Sequence, residues 1–130
     1  MAHSTHHIGH AGEHLVASFL YLIADDVFFS NGNSDSDLVF LYKKNYYRVQ
    51  VKTKSKQEKS RNNWRYDMRK NYQRKSREYD YSNLDFFAFA NLKYRSVIFI
   101  KPKELTQMTF ADEHIKNNDA VKNILDLLDS

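Results

Sequence analysis

Asp37-Leu-Val-Phe-Leu-Tyr-Lys-Lys-Asn-Tyr-Tyr-Arg-Val-Gln-Val-Lys52 is the stretch whose reading decides the fold. Two runs of β-branched and aromatic residues flank a polar Lys-Lys-Asn break, the pattern of a β-hairpin. A turn centred on Lys44 and Asn45 would set Asp37 opposite Lys52 and Val39 opposite Gln50. Gln50 and Lys52 are two residues apart and so project to one face of their strand, with Val49 and Val51 on the other. The hairpin therefore predicts that an acid, an amide and a lysine meet at one sheet edge.

Around this hairpin the chain is short. Its 130 residues suffice for one domain with a single core. Residues 1–10 read as a flexible N-terminal arm and 11–130 as the domain. The arm carries His3, His6, His7 and His10, a tract able to bind metal adventitiously. The absence of Cys excludes a disulfide framework, thiolate zinc sites and cysteine nucleophiles, and fits a reducing, cytoplasmic location. Leu15 to Ala24, the longest apolar run, is too short to span a bilayer and lacks the flanks of a signal peptide.

Charge is unevenly placed. The chain carries +4 overall, but between Lys43 and Arg77 fourteen Lys or Arg stand against Glu58 and Asp67, a net +12. From Glu104 onward six acids oppose two lysines. The middle segment should meet a polyanion. Were half its basic residues on phosphates, ~7 contacts would give a salt slope near about −6.

From Gly12 to about Asp25 the residues predict a helix, apolar on nearly every side and hence largely buried, ended by Asp25 and Asp26. A short strand over Val27 to Ser30 and a turn-rich loop, Asn31 to Ser36, lead into the hairpin. Ser55 to Asn63 reads as loop, and Trp64 to Lys70 as a further strand before the basic Asn71 to Arg77. Leu84 to Ala90 and Ser96 to Ile100 form a second β pair, closed by Pro102. Val121, Ile124, Leu125 and Leu128 recur at helical spacing, with Asp119 near the start. Helix, strands and helix in that order make an α/β sandwich.

Glu13 lies on the helical stripe of Val16, Ala17, Leu20 and Ile23, where burying an unpaired carboxylate would cost several kcal/mol. Either a partner compensates it or the first-turn macrodipole steadies it. Asp37 follows a Ser/Asn/Gly loop and could be a plain turn residue. Taken with Gln50 and Lys52, the two acids make a hard-cation site beside a positive charge.

Gly12-Glu13 at the head of an apolar helix, Ser36-Asp37-Leu-Val, Tyr47-Arg-Val-Gln-Val-Lys-Thr53, Asp85-Phe-Phe-Ala-Phe and Val97-Ile-Phe-Ile-Lys-Pro102 together resemble the PD-(D/E)XK nuclease superfamily. Within it the chain looks most like the group I intron-associated homing endonucleases, which use Gln-x-Lys, and more distantly like Holliday-junction resolvases. The resemblance covers about residues 10 to 105. It implies a restriction-endonuclease-like mixed β-sheet core flanked by an N-terminal and a C-terminal helix, and Mg²⁺-dependent hydrolysis of DNA phosphodiesters, with Mn²⁺ as a substitute. By that likeness Asp37 is the principal metal ligand, Gln50 and the Val51 carbonyl complete the shell, Glu13 is the helix acid, and Lys52 orients water and steadies phosphate charge. The chain departs from the family pattern at Ser36, where Pro is usual, and at Gln50, where an acid is usual.

The implied substrate is double-stranded DNA, contacted by Lys54, Lys56, Arg61, Arg65, Arg69, Lys70, Arg74, Lys75 and Arg77, whether as phosphate clamps or as base readers. Trp64, Tyr66 and Tyr72 could stack on bases or belong to the core. The C-terminal helix either packs on the sheet or makes a subunit contact. Cutting both strands needs two active sites, so a homodimer or homotetramer is expected. The alternatives to homing-type cleavage are a junction resolvase or repair nuclease, and a catalytically silent DNA-binding module on the same fold.

Overall fold

The computed structural model describes residues 4–30, 36–57, 62–68 and 83–130. Along the chain lie α1 (Thr5–Leu20), β1 (Asp26–Phe29), β2 (Leu38–Tyr42), β3 (Asn45–Lys54), β4 (Asn63–Asp67), β5 (Phe86–Asn91), β6 (Ser96–Ile100), β7 (Gln107–Ala111), α2 (Asp112–Asn117) and α3 (Ala120–Leu128). Five strands form a mixed sheet in the order β1-β2-β3-β5-β6, and β4 and β7 make a separate ribbon. Among the described strands of this sheet only β3 and β5 run parallel to each other. The mixed α/β architecture with terminal helices is the one the sequence predicts.

Alternation builds three layers. Val49, Val51, Phe86, Ala88, Val97 and Phe99 point to one face and pack with Val16, Leu20 and Ile124 from α1 and α3. Phe87, Phe89 and Ile98 point to the other, against Trp64, Tyr66 and Met68, with Phe110 of β7 and Ile115 of α2. Every residue of β5 is buried, as a strand covered on both faces requires. Trp64 and Tyr66 are therefore core residues, not stacking platforms; the Tyr66 hydroxyl donates to the Ala90 carbonyl at 2.9 Å. Tyr72 lies outside the described residues.

Several boundaries move. The hairpin turn centres on Lys43 and Lys44, not on Lys44 and Asn45, because both lysines adopt the left-handed region at φ 47° and 71°. That is the backbone of a two-residue type I′ turn, whose twist matches the strands. Leu38 consequently pairs with Val49 and Tyr42 with Asn45. The shift is by two residues, so every side chain keeps its predicted face. β3 is also a central strand, not an edge strand.

The first helix begins at Thr5, so residues 5–10 are helical and not an arm. Ser4 caps it, its hydroxyl accepting the His7 N–H at 3.3 Å. It ends at Leu20, before the expected Asp25, and one face is wet: Ala11, His14 and Ser18 are exposed. α2 and β7 went unpredicted. α3 starts where expected, with the Asp119 carboxylate accepting the Lys122 N–H at 3.1 Å.

The β6 edge of the sheet is covered. On β6 the Asn123 side chain behaves as a neighbouring strand would: its Oδ1 accepts the Phe99 N–H at 2.7 Å and its Nδ2 donates to the Phe99 carbonyl at 3.0 Å. Asn118 donates to the Val97 carbonyl at 2.7 Å. α3 thus packs on the sheet and closes its edge. No described helix is long and apolar enough to cross a membrane.

Candidate active site

The site forms where β2 stops and β3 continues. From Asn45 to Val49, β3 is laddered to β2; from Val49 to Lys54 it is laddered to β5. Beyond Val49 the β2 side of β3 would expose its backbone donors. Asp37, just before the first residue of β2, fills that gap. Its N–H donates to the Val49 carbonyl at 2.8 Å, and its Oδ2 accepts the Val51 N–H at 2.9 Å, so the carboxylate stands in for the missing strand. The same oxygen accepts the Gln50 Nε2 at 2.9 Å. A carboxylate only accepts, which fixes the Gln50 amide with its nitrogen toward Asp37. Gln50 is thus a donor to Asp37, and its Oε1 is the atom left to face a ligand.

Glu13 arrives from the other side. α1 packs on the Val49 and Val51 face, whereas Gln50 and Lys52 project from the opposite one. The helix comes close because residue 12 is glycine: a Cβ there would lie 2.7 Å from both Cβ and Cγ2 of Thr53. This approach brings Glu13 within electrostatic reach of Asp37 around the open margin of β3. Glu13 remains partly accessible, its side chain 22% exposed, and its Oε1 lies 3.4 Å from His10 Nδ1.

The Asp37 carboxyl is pushed up to about 6, chiefly by burial and in part by Glu13, against the lowering pull of the Val51 N–H, Lys52 and His10. Burial likewise lowers the Lys52 ammonium, against which Asp37 and Asp67 act to raise it. Asp37, Gln50, Val51, Lys52 and Glu13, the predicted set, are therefore brought together, across two faces of one strand end.

Two contributors escaped the sequence reading. Asp67, at the end of β4, adds a negative charge to the surroundings of Lys52; the burial of Trp64, Tyr66 and Met68 could have marked the opposite face of that strand. His10 acts on Asp37 and Glu13, and becomes visible only once α1 is extended to Thr5. Of the predicted DNA contacts, Lys54 is half-buried, and Lys56 and Arg65 are exposed. Arg61, Arg69, Lys70, Arg74, Lys75 and Arg77 lie outside the described residues. Among the described residues no three His, Asp or Glu side chains close around one point. A cation here would rest on Asp37 and Glu13, backbone or amide oxygen, and water. That donor set is all hard oxygen and fits Mg²⁺, which is held by one or two carboxylates and keeps several waters.

No protein-family model and no curated protein matches the chain. Among solved structures, the chain is similar to a bacterial homing endonuclease, I-Ssp6803I, with a TM-score of 0.74 at 19% identity, over 98% of this chain and 95% of that one. The fold is thus that of a homing endonuclease structure across nearly the whole of both chains.

Proposed function

We propose that the protein is a Mg²⁺-dependent DNA endonuclease of the PD-(D/E)XK type, cutting both strands of duplex DNA as a homing enzyme does, and acting as a homodimer or homotetramer. The observation that carries this reading is the Asp37 carboxylate, half-buried beside the start of β2 and held by Gln50 and the Val51 N–H, with Lys52 beside it. Asp37 and Glu13, with the Val51 carbonyl and the Gln50 Oε1, would hold Mg²⁺. Bound there, the ion supplies Lewis acidity toward the scissile phosphate.

The residues divide the remaining work. Gln50 and the Val51 N–H fix one Asp37 oxygen so that the carboxylate cannot rotate away. Lys52 places a partly desolvated ammonium beside the reacting phosphate, where fixed positive charge steadies the developing negative charge. Lys54, Lys56 and Arg65, together with the basic run to Arg77, supply the phosphate contacts that hold the duplex. The overlap with a homing endonuclease structure supports the homing reading over the other nucleases.

Incubating supercoiled and branched DNA with Mg²⁺ or Mn²⁺ tests this, with Asp37→Asn and Lys52→Ala as controls. The proposal expects metal-dependent cutting of duplex, lost in both variants while salt-sensitive binding persists. Binding without cleavage by the wild type would instead identify a silent DNA-binding module, in keeping with an amide at Gln50 where an acid is usual. Cleavage of junctions alone would identify a resolvase.

A further inference from the structure

The first turns of α1 carry a second constellation. His6, His10 and Glu13 stand at i, i+4 and i+7, on one face of the helix. His10 Nδ1 lies 3.4 Å from Glu13 Oε1, and His10 Nε2 lies 3.0 Å from His6 Nε2, the rings meeting edge to face with centroids 4.4 Å apart. Both imidazoles are exposed.

Proton accounting makes this arrangement specific. Glu13 can only accept, so in a neutral His10 the hydrogen belongs on Nδ1 and Nε2 is left as a lone pair. That lone pair points at the Nε2 of His6. A carboxylate bonded to one nitrogen of an imidazole, with the other nitrogen free to ligate, is the arrangement that orients histidine ligands and raises their basicity. Histidines four apart on a helix present two nitrogens to one ion. Zinc–nitrogen bonds of 2.0–2.1 Å in tetrahedral geometry separate two ligand nitrogens by about 3.3 Å. The present spacing reaches that with a small rotation of two exposed rings.

We propose that His6 and His10 form a two-imidazole site for a borderline divalent cation such as Zn²⁺, Ni²⁺ or Cu²⁺, with water completing the shell and Glu13 as the outer carboxylate. Imidazole suits those ions, whereas the oxygen donors around Asp37 suit Mg²⁺, so the two sites select different metals. They share Glu13. Cation binding at the imidazoles strengthens the His10–Glu13 bond and draws Glu13 away from Asp37. This last consequence rests on the nuclease reading; the binding itself does not.

Calorimetric titration of the full, tag-free chain with ZnCl₂ or NiCl₂ tests the site. One equivalent should bind to the wild type, and His6→Ala or His10→Ala should abolish it. Glu13→Gln should weaken it about 10–100-fold, the usual effect of losing an outer partner. His7→Ala, off this face, should leave it intact. Wild-type affinity in His6→Ala, or equal loss in His7→Ala, overturns the assignment, and circular dichroism confirms that each variant is folded. In a second arm, Zn²⁺ should inhibit Mg²⁺-supported cleavage by the wild type and spare His6→Ala; equal inhibition of both overturns the coupling through Glu13. Should the chain cut no DNA, the titration decides alone.

Discussion

Replacing Asp37 with Asn should stabilise the metal-free protein at pH 8. The Asp37 carboxyl is raised from 3.8 to about 6, chiefly by burial. Below 3.8 it is protonated in both folded and unfolded chains and contributes nothing. Between 3.8 and 6 the folded chain keeps a proton that the unfolded chain releases, so stability falls as pH rises through that window. Above it the folded state carries the full cost, about 3 kcal/mol at 1.36 kcal/mol per unit. The amide of Asp37→Asn keeps an acceptor for the Gln50 and Val51 donors and never ionises. The attraction of Lys52 for the carboxylate is already contained in that net shift, so its loss in the variant needs no separate correction. Urea unfolding in EDTA, followed by the fluorescence of buried Trp64, measures the difference. The variant should be more stable at pH 8 and nearly equal to the wild type at pH 3.5. Mg²⁺ at about 100 times its Kd should then add ~2.7 kcal/mol to the wild type and little to the variant. A variant less stable than wild type at pH 8, or a gain unchanged at pH 3.5, refutes the reasoning.

Gly12→Ala should destabilise by about 1–3 kcal/mol in thermal unfolding, since its Cβ meets a β-branched side chain that cannot swing away. Adding Thr53→Ala should recover only part of that loss, since it removes the Thr53 Oγ1 and Cγ2 but keeps its Cβ at 2.7 Å. Asn123→Leu removes both hydrogen bonds to Phe99 and should cost about 2–3 kcal/mol by urea denaturation, with aggregation rising as the β6 edge opens. Lys44→Gly relieves a left-handed residue in the hairpin turn and should raise stability by up to about 1 kcal/mol in the same assay.

Local chemistry made much of the fold legible. Strand periodicity marked β2, β3, β5 and β6, and the Asp119 cap with its apolar spacing marked α3. β7 escaped although Gln107-Met-Thr-Phe-Ala alternates, with Met108 half-buried and Phe110 buried, because two apolar positions in five residues are too short a run to stand out as a strand. The N-terminal turns of α1 escaped because their histidines hide helical period from any apolar count. The hairpin register slipped because two lysines at positive φ are not a turn signal that residue type discloses.

The site divides along the same line. Sequence alone determined that Asp37, Gln50 and Lys52 share a face, because side-chain direction in a strand repeats every second residue and survives a two-residue slip. It also determined the basic middle segment and the absence of thiol chemistry, which are matters of composition. Tertiary structure alone decided that β2 begins only at Leu38 while its partner β3 runs on past Val49, leaving a backbone gap that the Asp37 carboxylate fills. It decided too that Gly12 lets α1 settle on Thr53 and swing Glu13 to that gap. Such proximities arise from packing between elements distant along the chain, and no local period encodes them.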